Sequence, residues 1–348
     1  MSRLVSLRAL VALGFCALAL AFALTLALAG TVHARTDQGR TTVDYATSFG
    51  NFGRDAYIYV AIEKGYMRAA GFDVNVTSGT GSVDNIKLVA AGRLDYSPVD
   101  IGALVVTRAN EQLPTKVVSV VHQNTMSAIF TLAESNITTP KQLEGKTLAD
   151  SPASTVRILF PLYAKKAGID ASKVQWRDAA PPALPALLAT KQVDGIGQFS
   201  AGIPLAVKAA GGRSIRTHKY SKVLPGLLGI GVIASDEKIQ RSPGEVRRFV
   251  RALNRGLRWA IDNPGAAGAI LHKYQPLADP VTAAQELRIM RFFVQTKPTR
   301  RQGYGIGYID RGKIASTISV IRNGFRLERP LAPAQLYSSV AVPARTAR

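Results

Sequence analysis

Histidine and cysteine are the residue types that most readily supply acid–base, thiol or metal chemistry, and both are scarce here. The four histidines are His33, His122, His218 and His272, and none has a second histidine or a cysteine at metal-ligand spacing. Cys16 is the only cysteine. The chain has neither a Gly-x-Ser-x-Gly elbow nor a complete Gly-x-x-x-x-Gly-Lys-(Ser/Thr) phosphate loop. The sequence therefore predicts a protein that is not an enzyme and that needs no cofactor and no metal.

Polar side chains instead gather where strands are predicted to end, which is where an α/β sheet presents ligand sites. Such positions offer hydroxyl, amide, carboxylate and guanidinium groups that hold a polar or anionic molecule by hydrogen bonds alone. The candidate ligand-binding residues are Phe49, Asn51, Arg54, Asp55, Ser78, Thr80, Ser82, Asp100, Gln123, Ser151, Ser154, Thr155, Gln198 and Ser200.

Several of these candidates have an ordinary structural alternative. Asp100 and residues 151–155 stand where a helix begins, and a helix cap uses the same side chains. Arg54 can pair with a sulfonate, nitrate or carboxylate, or remain a solvated surface charge. Phe49 or Phe52 can stack on a ring, and Phe49 suits the core equally well. The pattern leaves these alternatives open.

The elements that position these residues alternate between helix and strand. The apolar run 56–62 ends near Gly65, which predicts a buried helix with a glycine at its C-terminal cap. Residues 72–76 alternate between apolar and polar, as in a half-buried strand. Similar patterns predict helices over 83–90 and 156–167 and strands over 94–99, 116–121, 146–149 and 227–234. This alternation predicts an α/β fold with largely parallel sheets.

The strongest helical pattern follows Ser242. Ser242 and Glu245 have the spacing of a capping box, and apolar residues then recur at core spacing over 246–261. The outer face of this helix carries Arg247, Arg248, Arg251, Arg255 and Arg258. That face can dock on an anionic membrane or an acidic partner, or simply be a solvated helix face. Residues 330–348 are typical of a tail that wraps over the fold and then frays.

The N-terminal segment has the composition of a secretory signal peptide. Arg3 and Arg8 precede an uncharged run, and residues 32–34 (VHA) offer the small residues that a signal peptidase recognises. We expect residues 1–34 to be removed and the mature protein to work in the periplasm. Cleavage after residue 29 and an uncleaved anchor are alternatives, because the run approaches the ~20 residues that span a bilayer.

The chain is strongly basic, with a formal net charge of +21 in 348 residues. Such a charge can attract nucleic acid, anionic lipid or an anionic solute. Export disfavours nucleic acid, and the basic residues are scattered in runs of no more than two. We expect a monomer whose partner is a small-molecule solute, with no nucleic acid bound.

Four segments carry a distinctive combination of motifs. They are residues 59–67 (YVAIEKGYM), 70–74 (AGFDV), 91–96 (AGRLDY) and 138–147 (TTPKQLEGKT). Together they resemble the ABC-transporter substrate-binding proteins for nitrate, sulfonates, taurine and thiamine pyrimidine precursors. The resemblance covers most of residues 44–235.

This resemblance implies a two-lobed periplasmic-binding-protein fold of type II, in which the chain crosses twice between the lobes. Each lobe would be a mixed, mostly parallel sheet flanked by helices. Lobe 1 would comprise residues 42–122 and 226–348, and lobe 2 residues 123–225. The family captures a small organic anion or heteroaromatic, such as a sulfonate, nitrate, taurine or a pyrimidine, between the lobes. It then delivers that ligand to the permease of an ABC importer.

Two other functions are open to this fold. One is a pyrimidine-precursor synthase that uses pyridoxal phosphate, against which the predicted signal peptide argues, because such an enzyme is cytosolic. The other is a ligand-sensing module. The sequence departs from the family at residues 49–55, where pyrimidine binders often carry a Trp and a Pro-Asn pair, so the identity of the ligand stays open.

Overall fold

The strands of the structure form three sheets. The computed structural model describes residues 39–301, 305–327 and 329–342. The strands are β1 (Thr41–Ala46), β2 (Phe72–Thr77), β3 (Ser97–Asp100), β4 (Thr115–Val120), β5 (Ser127–Leu132), β6 (Thr147–Asp150), β7 (Gln175–Asp178), β8 (Gly195–Phe199), β9 (Ile215–Lys219) and β10 (Ile230–Ser235). β1 and β2 pair with each other, the three-stranded sheet has the order β3-β10-β4, and the five-stranded sheet has the order β7-β6-β8-β5-β9.

Helices flank these sheets. They are α1 (Ala56–Glu63), α2 (Tyr66–Ala69), α3 (Ser82–Ala90), α4 (Ile101–Glu111), α5 (Thr155–Ala167), α6 (Leu184–Ala189), α7 (Ile203–Ala209), α8 (Asp236–Arg241), α9 (Pro243–Asp262), α10 (Pro264–Tyr274), α11 (Pro280–Val294), α12 (Lys297–Arg301), α13 (Arg311–Phe325) and α14 (Pro333–Leu336). A short 3₁₀ helix, Gly53–Asp55, precedes α1.

The fold has both parallel and antiparallel pairs, as predicted, and the five-stranded sheet contains both kinds, but parallel pairs do not dominate. Among the described residues, four of the seven ladders are antiparallel, and all four involve β5 or β10. Each of these strands is the first that the chain forms after it passes from one large sheet to the other. Such a strand is not preceded by the crossover helix that returns a chain in the parallel direction. The expectation of mostly parallel sheets was therefore wrong.

Most local predictions are confirmed. The helix over 56–63 and the strand over 72–77 form as predicted, and Gly65 has the left-handed φ of 69° that favours glycine. Asp100 caps α4 by accepting hydrogen bonds from two backbone N–H groups. The capping box at Ser242 is absent, because its side chain makes no cap hydrogen bond and Glu245 instead pairs with Lys238 at 2.7 Å.

The core beside the three-stranded sheet is built around α9. Phe249 stacks on Tyr96 with ring centroids 3.9 Å apart, and both side chains are buried. Gly256 lets α9 approach α1, because a Cβ at this position would lie 2.4 Å from the carbonyl oxygen of Tyr57. Burial of each large side chain contributes roughly 1.5–3 kcal/mol. The core thus fixes α1, and with it the loop that precedes α1.

The two ends of the chain differ in what the structure describes. The predicted tail does wrap over the fold, since the backbone N–H of Ser338 donates to the carbonyl oxygen of Val117 at 2.8 Å. Residues 343–348 and the predicted signal peptide, residues 1–34, lie outside the described residues. Within the described ranges, no helix has both the length and the apolar character needed to cross a membrane.

Candidate functional site

The loop before α1 presents Arg54 at the centre of the candidate site. The carboxylate of Asp55 accepts the backbone N–H of Phe52 at 3.3 Å, which closes the 3₁₀ helix. Gly53 lets this helix lie against α11, since a Cβ there would be 2.4 Å from the Cα of Ala283. The side chain of Arg54 is only 2% exposed. A charged group this deeply buried needs partners that offset its lost hydration.

The guanidinium of Arg54 contacts two aromatic rings and makes one hydrogen bond, but some of its donors have no acceptor among the described residues. It lies 4.4 Å from the ring centroid of Phe52 and 5.1 Å from that of Phe199, and Nη2 donates to the carbonyl oxygen of Phe49 at 3.2 Å. Within the described part of the chain, Nε and Nη1 are buried and have no hydrogen-bond acceptor. Two directed donors on a delocalised cation are thus available to an acceptor-rich ligand.

Among the described residues, Glu286 on α11 is the carboxylate that pairs with Arg54. Its Oε2 accepts the backbone N–H of Arg54 at 3.2 Å and lies 4.0 Å from Nη1. Burial raises the pKa of Glu286 to about 7, although the positive charge of Arg54 lowers it. The sequence analysis missed this residue, because a single glutamate in an amphipathic helix carries no signal of burial.

His122 is a second buried polar residue near Arg54 that the sequence analysis did not select as a candidate. It is buried, and neither ring nitrogen has a hydrogen-bond partner among the described residues. Burial and the charge of Arg54 lower its pKa to about 3, so the imidazole is neutral at physiological pH. A neutral imidazole offers one donor and one acceptor. In the sequence this histidine was isolated, and only the fold brings it near Arg54.

The five-stranded sheet contributes the other side of the site. Phe199, the last residue of β8, packs edge-on against Phe49 with ring centroids 6.2 Å apart. Asp150, the last residue of β6, is buried, and its Oδ2 has no partner within the described residues. Gly197 leaves room for this carboxylate, because a Cβ there would lie 1.9 Å from Oδ2. Burial raises the pKa of Asp150 to about 7, so it is both a donor and an acceptor near neutral pH.

A set of hydroxyls joins the loop before α3 to the loop before α5. Ser151 Oγ donates to the carbonyl oxygen of Thr80 at 2.9 Å, and the hydroxyls of Ser82 and Thr155 are 3.0 Å apart. Gly81 permits the approach, since a Cβ there would be 2.5 Å from the carbonyl oxygen of Ala153. The fold thus brings Ser82, Ser151 and Thr155 together, whereas the hydroxyl of Thr80 donates to Asp84 Oδ2 at 2.7 Å.

Other candidates have partners within the protein. Asp100 caps α4 and Ser154 caps α5. Ser200 Oγ donates to the carbonyl oxygen of Met126 at 3.1 Å, and Gln123 Nε2 donates to the carbonyl oxygen of Tyr308 at 2.9 Å. Gln198 Oε1 accepts the backbone N–H of Phe199 at 2.9 Å. Asp55 holds its own loop. A role for these side chains in ligand binding stays a prediction.

A cavity of about 440 Å³ adjoins Glu286. On one side it is lined by Asn51 and Ser78, and Asn51 Oδ1 also accepts the hydroxyl of Tyr59 at 2.9 Å. On the other side it is lined by Leu205 and Lys208 of α7. This volume falls within the range of small-molecule sites.

In the periplasmic-binding-protein fold, the chain crosses twice between two sheet regions whose polar loops face each other. This chain is similar to solved structures of that fold. The alkanesulfonate-binding protein SsuA from Xanthomonas axonopodis pv. citri, bound to MOPS, matches with a TM-score of 0.66 at 14% identity, covering 86% of this chain and 97% of that one. The ligand-binding component of an ABC-type import system from Staphylococcus aureus, with zinc bound, matches with a TM-score of 0.66 at 14% identity, covering 88% and 100%. The predicted two-lobed α/β fold is confirmed.

The chain belongs to the NMT1/THI5-like family, whose model matches residues 54–267, more than half of its length. The formylaminopyrimidine-binding protein of Halalkalibacterium halodurans is 24% identical over 327 residues, covering 91% of this chain and 96% of that protein. The riboflavin-binding protein RibY of Chloroflexus aurantiacus is 26% identical over 295 residues, covering 82% and 81%. The resemblance inferred from four segments is thereby confirmed.

Proposed function

We propose that the protein is an extracytoplasmic solute receptor that captures a small organic anion or heteroaromatic and delivers it to an ABC importer. The observation that carries this proposal is the buried guanidinium of Arg54, whose Nε and Nη1 lack acceptors within the described residues. Relatives named for binding a formylaminopyrimidine and riboflavin support it. So does the structural likeness to an alkanesulfonate-binding protein.

The groups around Arg54 favour a flat ligand that has hydrogen-bond acceptors. Arg54 supplies the donors, and Phe199 and Phe49 supply aromatic surface against which a ring can pack. His122, near Arg54, and Asp150, at the end of β6 in the five-stranded sheet, add polar atoms that have no partner among the described residues. Both a ring sulfonate or carboxylate and a polar heteroaromatic satisfy this set.

Capture would occur by closure of the two lobes. In this proposal lobe 1 comprises residues 42–122 and 226–348, lobe 2 comprises residues 123–225, and the hinges lie near 122–124 and 224–226. A ligand that contacts both Arg54 and Asp150 stabilises the closed form by its differential contacts. The permease then recognises that form, and no step needs a cofactor. We place the receptor in the periplasm as a monomer, exported by residues 1–34.

A thermal-shift screen tests the proposal. Purified protein, refolded to strip bound ligand, is exposed to nitrate, alkyl and aryl sulfonates, aromatic carboxylates and aminopyrimidines. We expect at least one class to raise the melting temperature in a saturable way, since a ligand at 100 times its dissociation constant stabilises by ~2.7 kcal/mol. Arg54→Gln should abolish the shift. Arg68→Gln, which removes an exposed arginine, should preserve it. An unshifted protein across every class would overturn the proposal.

A further inference from the structure

A groove on the outer face of α9 is separate from the site around Arg54. Its volume is about 740 Å³, and it shares no described lining residue with the cavity beside Glu286. One wall carries four exposed arginines, Arg247, Arg251, Arg255 and Arg258. The rest of the lining includes apolar surface from Trp259, Ile306 and residues 340–342. We call this the arginine groove.

The arginines of the groove form a regular row. They follow one another at intervals of four, four and three residues along one helix face. With a rise of about 1.5 Å per residue, the row spans roughly 16 Å and repeats a positive charge about every 6 Å. A repeat of this kind suits a ligand that carries several negative charges at similar spacing.

The described part of the chain does not neutralise this row. Among the described residues, no carboxylate forms an ion pair with Arg247, Arg251 or Arg258, and Arg255 lies over the ring of Tyr66 at 4.2 Å. The carboxylate of Asp262, which also lines the groove, accepts a hydrogen bond from Gln295 at 3.1 Å. Neighbouring like charges on a helix face repel one another, so an anionic occupant would relieve that repulsion.

The geometry points to an acidic amphipathic helix of a partner protein as the occupant of the arginine groove. Such a helix carries carboxylates at every third or fourth residue, with the same repeat of about 6 Å, and its apolar side chains match Ile306 and residues 340–342. The C-terminal residues 343–348 do not fit, because they contain two arginines and no acidic residue. A fluid lipid surface offers no fixed repeat of negative charges at this spacing.

Trp259 provides a direct reporter of binding, since the chain has only two tryptophans and Trp259 lines the groove. In a Trp176→Phe background, its emission is titrated with a 15-residue helical peptide that has glutamate at every fourth position and leucine on the adjoining face. A peptide of the same composition in scrambled order is the control. We expect a saturable change in emission with the ordered peptide alone, weakened by salt.

Charge reversal then localises the binding. The double variant Arg251→Glu/Arg255→Glu should weaken the ordered peptide at least about tenfold, because two attractive pairs become repulsive. The control Arg68→Glu/Arg93→Glu makes the same change in net charge at exposed sites outside the groove and should stay within about twofold. Equal binding of the scrambled peptide, equal loss in the control variant, or no change in Trp259 emission would overturn the proposal. If phosphatidylglycerol vesicles bind through Arg251 and Arg255 and the ordered peptide does not bind, the arginine groove is a membrane-binding surface and the proposal is wrong.

Discussion

The backbone N–H of Arg54 donates to the carboxylate of Glu286, 3.2 Å away and 232 residues further along the chain. The same carboxylate lies 4.0 Å from Nη1 of Arg54, and both side chains are almost fully buried. Glu286 therefore holds both the backbone and the charge of Arg54. The geometry of the candidate site depends on α11, which the chain forms only near its end.

Removal of Glu286 should destabilise the protein strongly. Glu286→Ala leaves the buried guanidinium without its counter-charge, and breaking a buried pair in this way costs roughly 3–5 kcal/mol. Glu286→Gln keeps an acceptor for the N–H of Arg54 and should cost less. The free energy of unfolding in urea at pH 8 measures both. The control Glu237→Ala removes an exposed i,i+4 ion pair with Arg241 and should have a much smaller effect. Equal losses for Glu286→Ala and Glu237→Ala would contradict the role of the buried pair.

The close approach at Gly53 predicts a sharp difference between two glycine substitutions. Gly53→Ala places a Cβ 2.4 Å from the backbone of Ala283, so the 3₁₀ helix that carries Arg54 must move, at a cost of about 1–3 kcal/mol. Gly265→Ala, in the first turn of α10, meets no atom within 4 Å and should raise stability by up to about 1 kcal/mol. Urea unfolding of the two variants checks this. A neutral Gly53→Ala would show that the loop tolerates displacement.

The hydroxyl contacts between Ser82 and Thr155 should favour the closed form. A hydrogen bond of this kind contributes about 0.5–1.5 kcal/mol, so Ser82→Ala/Thr155→Val should increase the population of open molecules several-fold. The predicted mature chain lacks cysteine, so dyes can be attached to cysteines introduced by Arg93→Cys and Lys173→Cys. Single-molecule energy transfer between the dyes then reports the distance between the two proposed lobes. The control Thr190→Val alters an exposed hydroxyl that bonds within its own helix. Identical distance distributions in the wild type, the double variant and the control would show that the hydrogen bond between Ser82 and Thr155 does not stabilise the closed form.

The raised pKa of Asp150 predicts a specific pH dependence of stability. Between its ordinary value of 3.8 and about 7, the folded protein keeps a proton on Asp150 that the unfolded chain releases. The stabilisation is therefore complete below pH ~4 and is lost as the pH rises through ~7, by up to ~1.4 kcal/mol per pH unit. Asp150→Asn removes this titrating carboxyl, so the free energy of unfolding should fall less steeply between pH 4.5 and 7. Asp178→Asn, at a mostly exposed carboxylate, is the control. A slope unchanged by Asp150→Asn would place its pKa in the normal range.

The sequence predicted what is encoded locally. The apolar run of α1, the alternation in β2 and the cap at Asp100 each depend on a few adjacent residues, and all three are observed. The predicted capping box at Ser242 does not form, because Glu245 instead makes an ion pair with Lys238 of the preceding helix.

The centre of the candidate site was only partly predictable. Arg54, Phe49 and Asn51 stood out because they occupy a loop before a helix. Glu286 and His122 did not, since their burial depends on α11 and on the crossing between the sheets, which no local pattern encodes. The strand directions of β5 and β10 were missed for the same reason.

Native mass spectrometry of the folded protein, purified from exporting cells without refolding, tests the central claim most directly. The account predicts a mature chain that begins near residue 35 and carries one small organic molecule per protein. That molecule should be retained in Arg68→Gln and lost in Arg54→Gln. A wild-type protein that carries no small molecule and gains none from periplasmic extract would contradict the account, as would a bound molecule that persists after Arg54→Gln.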